Sequence, residues 1–193
     1  MKSHNNRSTL SQHRYLSTRK LVTLALFTAL TYLVSLVSFP IFPAAPYLKL
    51  DFGNVFILLS GFLFGPIEGI IVCLLKEVLS LINSSSGGVG EVANFIMTSS
   101  YILVPSLLYR YRKGLKAVLL SLAAACIVGT VVATITNRFI IFPLYMGKAA
   151  PAVFESVFWF VIGFNLIKTA AIGFLTFLLY KRLSGILKKL EVT

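Results

Sequence analysis

From Ala117 to Asn137 the chain carries no charged side chain. A helix that spans a bilayer needs roughly 20 mostly apolar residues, and in lipid it must satisfy every backbone N–H and C=O within itself. This stretch meets both conditions. Other apolar runs begin at Leu21, Asp51, Pro66, Glu91 and Val153. Apolar residues make up 57% of the 193, and charged residues only 12%. Soluble domains carry about a quarter charged residues, so this chain has too little polar surface to cover a water-facing globule. The reading is an all-α integral membrane protein, with residues 1–193 forming a single membrane domain.

The breaks between the runs define six helices. The first is predicted over Leu21 to Phe39 and stops at Pro40. Pro40, Pro43 and Pro46 mark a loop up to Asp51, but one rich in Ile41, Phe42, Tyr47 and Leu48. A loop so apolar is expected to cover something. Gly65-Pro66 splits the next run into Asp51 to Phe64 and Pro66 to Ile82, because proline breaks a helix interior and suits a first turn. Asn83-Ser-Ser-Ser-Gly-Gly is a loop signal. The fourth helix is predicted over Glu91 to Tyr109 and the fifth over Leu115 to Asn137. Phe139 to Ala152, with Pro143, Gly147 and Pro151, reads as a loop, and Val153 to Tyr180 as the sixth helix.

The net charge of +12 would suggest nucleic acid in a soluble protein. Its placement points to the bilayer instead. With six crossings, one face holds Lys2, Arg7, Arg14, Arg19, Lys20, Arg110, Arg112, Lys113, Lys116, Lys181, Arg182, Lys188 and Lys189, and the other Lys49, Arg138 and Lys148. Thirteen against three puts both termini in the cytoplasm by the positive-inside bias. Residues 1–19 are then a cytoplasmic N-terminal segment, 20–181 the six-helix bundle and 182–193 a cytoplasmic tail. No small-residue cleavage site follows the first run, which reads as a retained helix and not a signal peptide. No nucleic acid partner is expected.

Several chemistries have no residues to perform them. No G-x-x-x-x-G-K-[ST] phosphate loop and no H-E-x-x-H occurs. The two histidines, His4 and His13, lie in the polar N-terminal segment, so no Ser-His or Cys-His dyad forms within the membrane. Cys73 and Cys126 sit apart in apolar runs, without metal-ligand spacing, and read as small core residues. No catalytic residue and no metal is assigned, and the chain is not expected to be an enzyme.

Ionisable residues inside such helices are costly and mark function by default. Lys168 stands near the middle of the sixth helix, and Asn165, three residues earlier, shares its face. An amide with donor and acceptor beside an ammonium that only donates suits a planar heterocycle with carbonyl and N–H groups. The alternative is structural: Lys168 pairs with a buried carboxylate such as Glu77 or Glu91. Lys76 and Glu77 are adjacent, point about 100° apart on a helix, and are not expected to pair simply with each other. Glu68 reads as interfacial. Asn137 and Asn94 are each open to reading as a helix cap or a ligand. The Ser84 to Gly90 loop suits a polyol chain or an ordinary turn. Ala25 and Ala29 form a small-xxx-small pair of the kind that admits a close helix.

These elements together resemble the riboflavin-specific substrate-binding (S) components of energy-coupling-factor (ECF) vitamin transporters. The resemblance runs from about Arg19 to Lys181. It rests on Thr18-Arg-Lys with Ala25-x-x-x-Ala29, Pro46-Tyr-Leu-Lys-Leu-Asp-Phe52, Gly61-Phe-Leu-Phe-Gly-Pro66, Gly87-Gly-Val-Gly-Glu-Val-Ala-Asn-Phe95, Asn137 with Phe142-Pro-Leu-Tyr145, and Asn165-Leu-Ile-Lys168. It implies six helices with both termini inside, and vitamin bound in the outer half under the loop after the first helix. It implies assembly with a transmembrane coupling subunit, met by Ala25 and Ala29, and with two ATP-binding subunits. It assigns Asn137, Asn165 and Lys168 to the isoalloxazine ring, and adds Leu48, Gly88 and Asn94 as further ligand contacts. Riboflavin is then the transported ligand, with no cofactor, and the location is the bacterial cytoplasmic membrane.

Three rival readings remain: an S component for another vitamin such as folate, thiamine or pantothenate; a stand-alone carrier coupled to protons or sodium, with Glu77 as its carboxylate; and a purely structural membrane subunit.

Overall fold

A computed structural model describes residues 18–111 and 114–191. Its α-helices are α1 (Thr18–Ser35), α2 (Asn54–Phe64), α3 (Pro66–Ser80), α4 (Val89–Tyr111), α5 (Leu115–Thr136), α6 (Phe142–Met146) and α7 (Ala150–Glu191). Of the expected N-terminal segment and tail, residues 1–17 and 192–193 lie outside the described residues, as do Arg112 and Lys113 of the charge tally.

Gly65 takes φ 113°, a conformation that disfavours a Cβ, and Pro66 opens α3 directly after it. The predicted break therefore falls where glycine and proline dictate. The pieces it leaves are short. At about 1.5 Å per residue, α2 is about 16 Å long and α3 about 22 Å, against a hydrocarbon core of about 30 Å. Among the described residues, Val89–Tyr109 and Leu115–Arg182 are the helical stretches long and apolar enough to cross a membrane, the second holding α5, α6 and α7; Asn54–Phe64 is apolar but shorter.

Where a loop was expected between residues 139 and 152, the backbone is largely helical, with a break at Gly147, which takes φ 54°. A π turn (Asn137–Ile141) runs into α6, and a 3-10 turn (Gly147–Ala149) leads into α7. Proline explains both departures from the loop reading. Pro143 lies in the first turn of α6 and Pro151 in that of α7, where the missing N–H costs nothing. The last helix also runs past Tyr180 to Glu191, so residues 182–191 of the expected tail are helical.

The apolar loop after α1 holds a small antiparallel ribbon, β1 (Phe39–Pro40) on β2 (Lys49–Leu50), in the register Phe39↔Leu50. This is a small exception to an all-α chain. Ala45, Leu48 and Leu50 from the loop are buried in one cluster with Phe142 of α6 and Ala150, Phe154, Val161 and Phe164 of α7. The loop does cover something: the start of α7 and the turn before it.

The ends of the bundle are marked by different contacts. At one end Lys20 pairs with Glu68 at 2.5 Å, and Phe62 meets Tyr109 and Tyr180, whose hydroxyls share a hydrogen bond of 3.0 Å. At the other, Asn83 donates to the Tyr32 hydroxyl, and the Tyr145 hydroxyl donates to the carbonyl of Ser86. The three Gly-, Pro- and Ser-rich connections thus gather at one end, and the starts of α1 and α3 with Tyr180 at the other. Between the ends, the largest core cluster joins α1, α2, α3, α4, α5 and α7 through residues such as Leu24, Ile57, Val72, Tyr101, Leu122 and Ile172. A Cβ on Gly69 would lie 3.1 Å from the Gly61 Cα, so paired glycines set the close approach of α2 and α3.

Candidate functional site

Lys168 is 4% exposed. Its ammonium donates to Asp51 Oδ2 at 3.0 Å and to Asn94 Oδ1 at 2.9 Å. The carboxylate comes from the covering loop, just after β2, and the amide from the first turns of α4. Lys168 does pair with a buried carboxylate, as the structural alternative had it, but the carboxylate is Asp51 and not Glu77 or Glu91. Glu91 accepts from Ser86 Oγ at 2.7 Å. Glu77 is reached indirectly, because Asn94 Nδ2 donates to Glu77 Oε1. A second expectation is corrected here: Lys76 and Glu77 do pair, Nζ to Oε1 at 3.0 Å. Their Cβ directions diverge, but both side chains are long, both are buried, and an unpaired charge there would cost far more than a bent rotamer.

Five residues thus form one polar row: Lys76, Glu77, Lys168 and Asp51, all buried, joined through the half-buried Asn94. Asp51 Oδ1 also accepts the N–H of Gly53 at 3.1 Å, which fixes the carboxylate at the start of α2. The Lys168 ammonium also stands 5.9 Å from the centre of the Phe164 ring.

Asn165 is buried one turn before Lys168, and its Nδ2 donates to the Val161 carbonyl at 2.8 Å. Asn137 starts the π turn, and its Nδ2 donates to Ala133 O at 2.8 Å. Leu48 lies in the covering cluster with Val161 and Phe164. Gly88 takes φ 94°, and its N–H is held by Ser84 Oγ at 3.1 Å. The structure therefore joins Lys168 to Asn94 directly and packs Leu48 beside the helix that carries Asn165. It does not bring Asn137 or Gly88 into hydrogen bonding with the row. Asp51 was missed as a site residue. A signal existed: it is one of only six acidic residues in the chain, and a buried cation needs an anion.

A depression of about 320 Å³ lies elsewhere, lined by Arg138, Phe139, Pro143, Gly147, Lys148, Ala150 and Pro151. It contains none of the row's side chains. Arg138 there reaches the Pro151 carbonyl at 3.3 Å and the exposed Glu155 carboxylate at 3.7 Å, which is ordinary surface pairing. The buried row, with its charged groups under a dedicated cover, is the stronger candidate. Among the described residues no group of three or more His, Cys, Asp or Glu could hold a metal ion.

Residues 19–180 match the family model for the substrate-specific component of ECF transporters. The chain belongs to that family. It is 34% identical over 177 residues to the riboflavin transporter RibU of Staphylococcus aureus, covering 89% of this chain and 94% of the relative. It is 32% identical over 175 residues to the riboflavin transporter FmnP of Bacillus subtilis, covering 86% and 92%. A solved structure of the S component of a bacterial ECF transporter superposes with a TM-score of 0.77 at 36% identity, over 88% of this chain and 98% of that one. The relatives of this S component are named as transporters, not as enzymes, in keeping with the absence of catalytic motifs from its sequence.

Proposed function

We propose that this S component captures riboflavin at the outer side of the bacterial cytoplasmic membrane and releases it inward when partner subunits hydrolyse ATP. The observation that carries the reading is the alignment of nearly the whole chain with two proteins named as riboflavin transporters. The partners are a transmembrane coupling subunit and two ATP-binding subunits. They supply what the chain lacks, since no phosphate loop is present in its sequence.

In this reading the chain crosses the bilayer six times, with both termini in the cytoplasm. The lysine and arginine bias supports that orientation. So does the gathering of the three longer connections at the end opposite to Lys20 and Tyr180. The ligand lies in the outer half, beneath the loop that carries Leu48 and Asp51. Riboflavin is neutral, and its ring is flat and largely apolar, with a pyrimidine edge of two carbonyls and an N–H. Removing that edge from water without replacement partners costs on the order of 1–3 kcal/mol per group. Lys168, Asn165 and Asn137 supply replacements, while Leu48, Gly88 and Asn94 complete the walls. Few directed polar groups among apolar walls is the usual form of such a site.

The test is the spectrum of the purified protein together with a riboflavin titration. A copurifying yellow flavin and saturable binding support the reading. A colourless protein that binds another vitamin and not riboflavin overturns it. Riboflavin uptake by vesicles holding this chain alone would instead favour an ion-coupled carrier.

A further inference from the structure

The buried row has a charge balance that bears on its ligand. Lys76 and Lys168 are 5% and 4% exposed, and each faces its own carboxylate, Glu77 at 3.0 Å and Asp51 at 3.0 Å. One amide joins the two pairs. Asn94 accepts from Lys168 through Oδ1 and donates to Glu77 through Nδ2. Both ends of this amide are engaged, so it cannot rotate without breaking a charge-assisted bond. The row holds two cations and two anions and is neutral as a whole.

An ammonium has three N–H donors. Lys168 places two of them, on Asp51 and Asn94, and among the described residues the third has no acceptor. A ligand that meets Lys168 therefore meets a donor whose charge is already balanced. Such a donor suits a neutral carbonyl. It does not suit a carboxylate or phosphate, which would sit beside the Asp51 anion without a cation of its own.

Asp51 also belongs to the loop that buries Leu48 and Leu50 over α7. Lifting this loop away removes the carboxylate from Lys168 and leaves that ammonium without its counter-ion.

We propose that Asp51, Glu77 and Lys76 are positioning residues for ligand capture. Glu77 and Lys76, through Asn94, set the direction of the third Lys168 N–H, and Asp51 both neutralises that lysine and ties loop opening to the breaking of an ion pair. The row thereby selects a neutral carbonyl ligand and slows its escape. This rests on the riboflavin reading above, with Lys168 as a ligand contact.

Riboflavin association and dissociation are measured by stopped-flow quenching of flavin fluorescence on purified full-length protein, for the native chain and for Asp51→Asn, Asp51→Glu and Glu77→Gln. Asp51→Asn is expected to dissociate about ten- to a hundredfold faster, with association changed by no more than about threefold, because breaking a buried charge pair acts on escape. Asp51→Glu recovers most of the slow dissociation, and Glu77→Gln dissociates faster than native. A general loss of structure would not divide the two rates in this way or be rescued by the longer acid. Native dissociation in Asp51→Asn, or Asp51→Glu no slower than Asp51→Asn, overturns the proposal. If Asp51→Asn does not fold, native dissociation in Glu77→Gln overturns it. A native protein that binds no riboflavin sinks the functional reading and this proposal with it, whereas native binding with unaltered variants sinks this proposal alone.

Discussion

Lys168 Nζ lies 3.0 Å from Asp51 Oδ2, a contact that closes 117 residues of chain. It links the middle of the last long helix to the loop after the first. The pair is thus at once a structural tie and part of the proposed site, and these roles predict different things.

Lys168→Met leaves the Asp51 carboxylate buried without its cation. The loss of stability is expected to be on the order of 3–5 kcal/mol, seen as a lower unfolding midpoint of the ligand-free protein in detergent. Adding Asp51→Asn removes the stranded charge and recovers much of that stability. Riboflavin affinity, weakened by about a hundredfold or more through loss of a charged donor, is not recovered. Were both properties restored together, Lys168 would be a structural residue and not a ligand contact.

The helical breaks were legible in the sequence because single residues impose them. Gly65 and Pro66 act locally, and α2 ends and α3 begins where they stand. Pro143 and Pro151 misled for the same local reason: proline permits a first helical turn as readily as it marks a loop, and the packing of the residues after it decides between the two. The candidate site was partly legible. Asn165 and Lys168 share a helix face by spacing alone, and the apolar character of residues 40–50 announced a cover. The partner of Lys168 was not legible. Asp51 meets it only because the β1–β2 ribbon folds the loop back over α7, and helical periodicity carries no information about such a return.

Ala25 and Ala29 are exposed on α1, on a face shared with Val22, Leu26 and Leu33, which are 62%, 58% and 59% exposed. Small residues on an apolar face admit a second helix closely. Ala25→Leu is therefore expected to leave riboflavin affinity within about twofold of native, as exposed substitutions usually do. Uptake by cells that also make the coupling and ATP-binding subunits falls severalfold. Loss of binding in the isolated variant would move this face from partner contact to the ligand site.

Gly61 packs where α2 meets α4, and a methyl group there would collide with Ser106 Oγ and come within 3.1 Å of Ile102 Cγ2. Gly61→Val is expected to lower stability by about 1–3 kcal/mol through overpacking. The unfolding midpoint reports this directly. A variant as stable as native would mean that α2 and α4 can separate without cost.

The orientation of the bundle makes the sharpest division between residues. Ser85 is exposed in the connection between α3 and α4, and Lys116 is exposed at the start of α5, toward the opposite end. If the cation bias sets the topology, Ser85→Cys in intact cells reacts with a membrane-impermeant maleimide and Lys116→Cys reacts only after the membrane is permeabilised. The native thiols give little background, since Cys73 is buried and Cys126 is half-buried against Thr169. The reverse labelling pattern would invert the bundle. It would also place the loop bearing Leu48 and Asp51 on the cytoplasmic side, where a protein that captures vitamin from outside has no use for a cover.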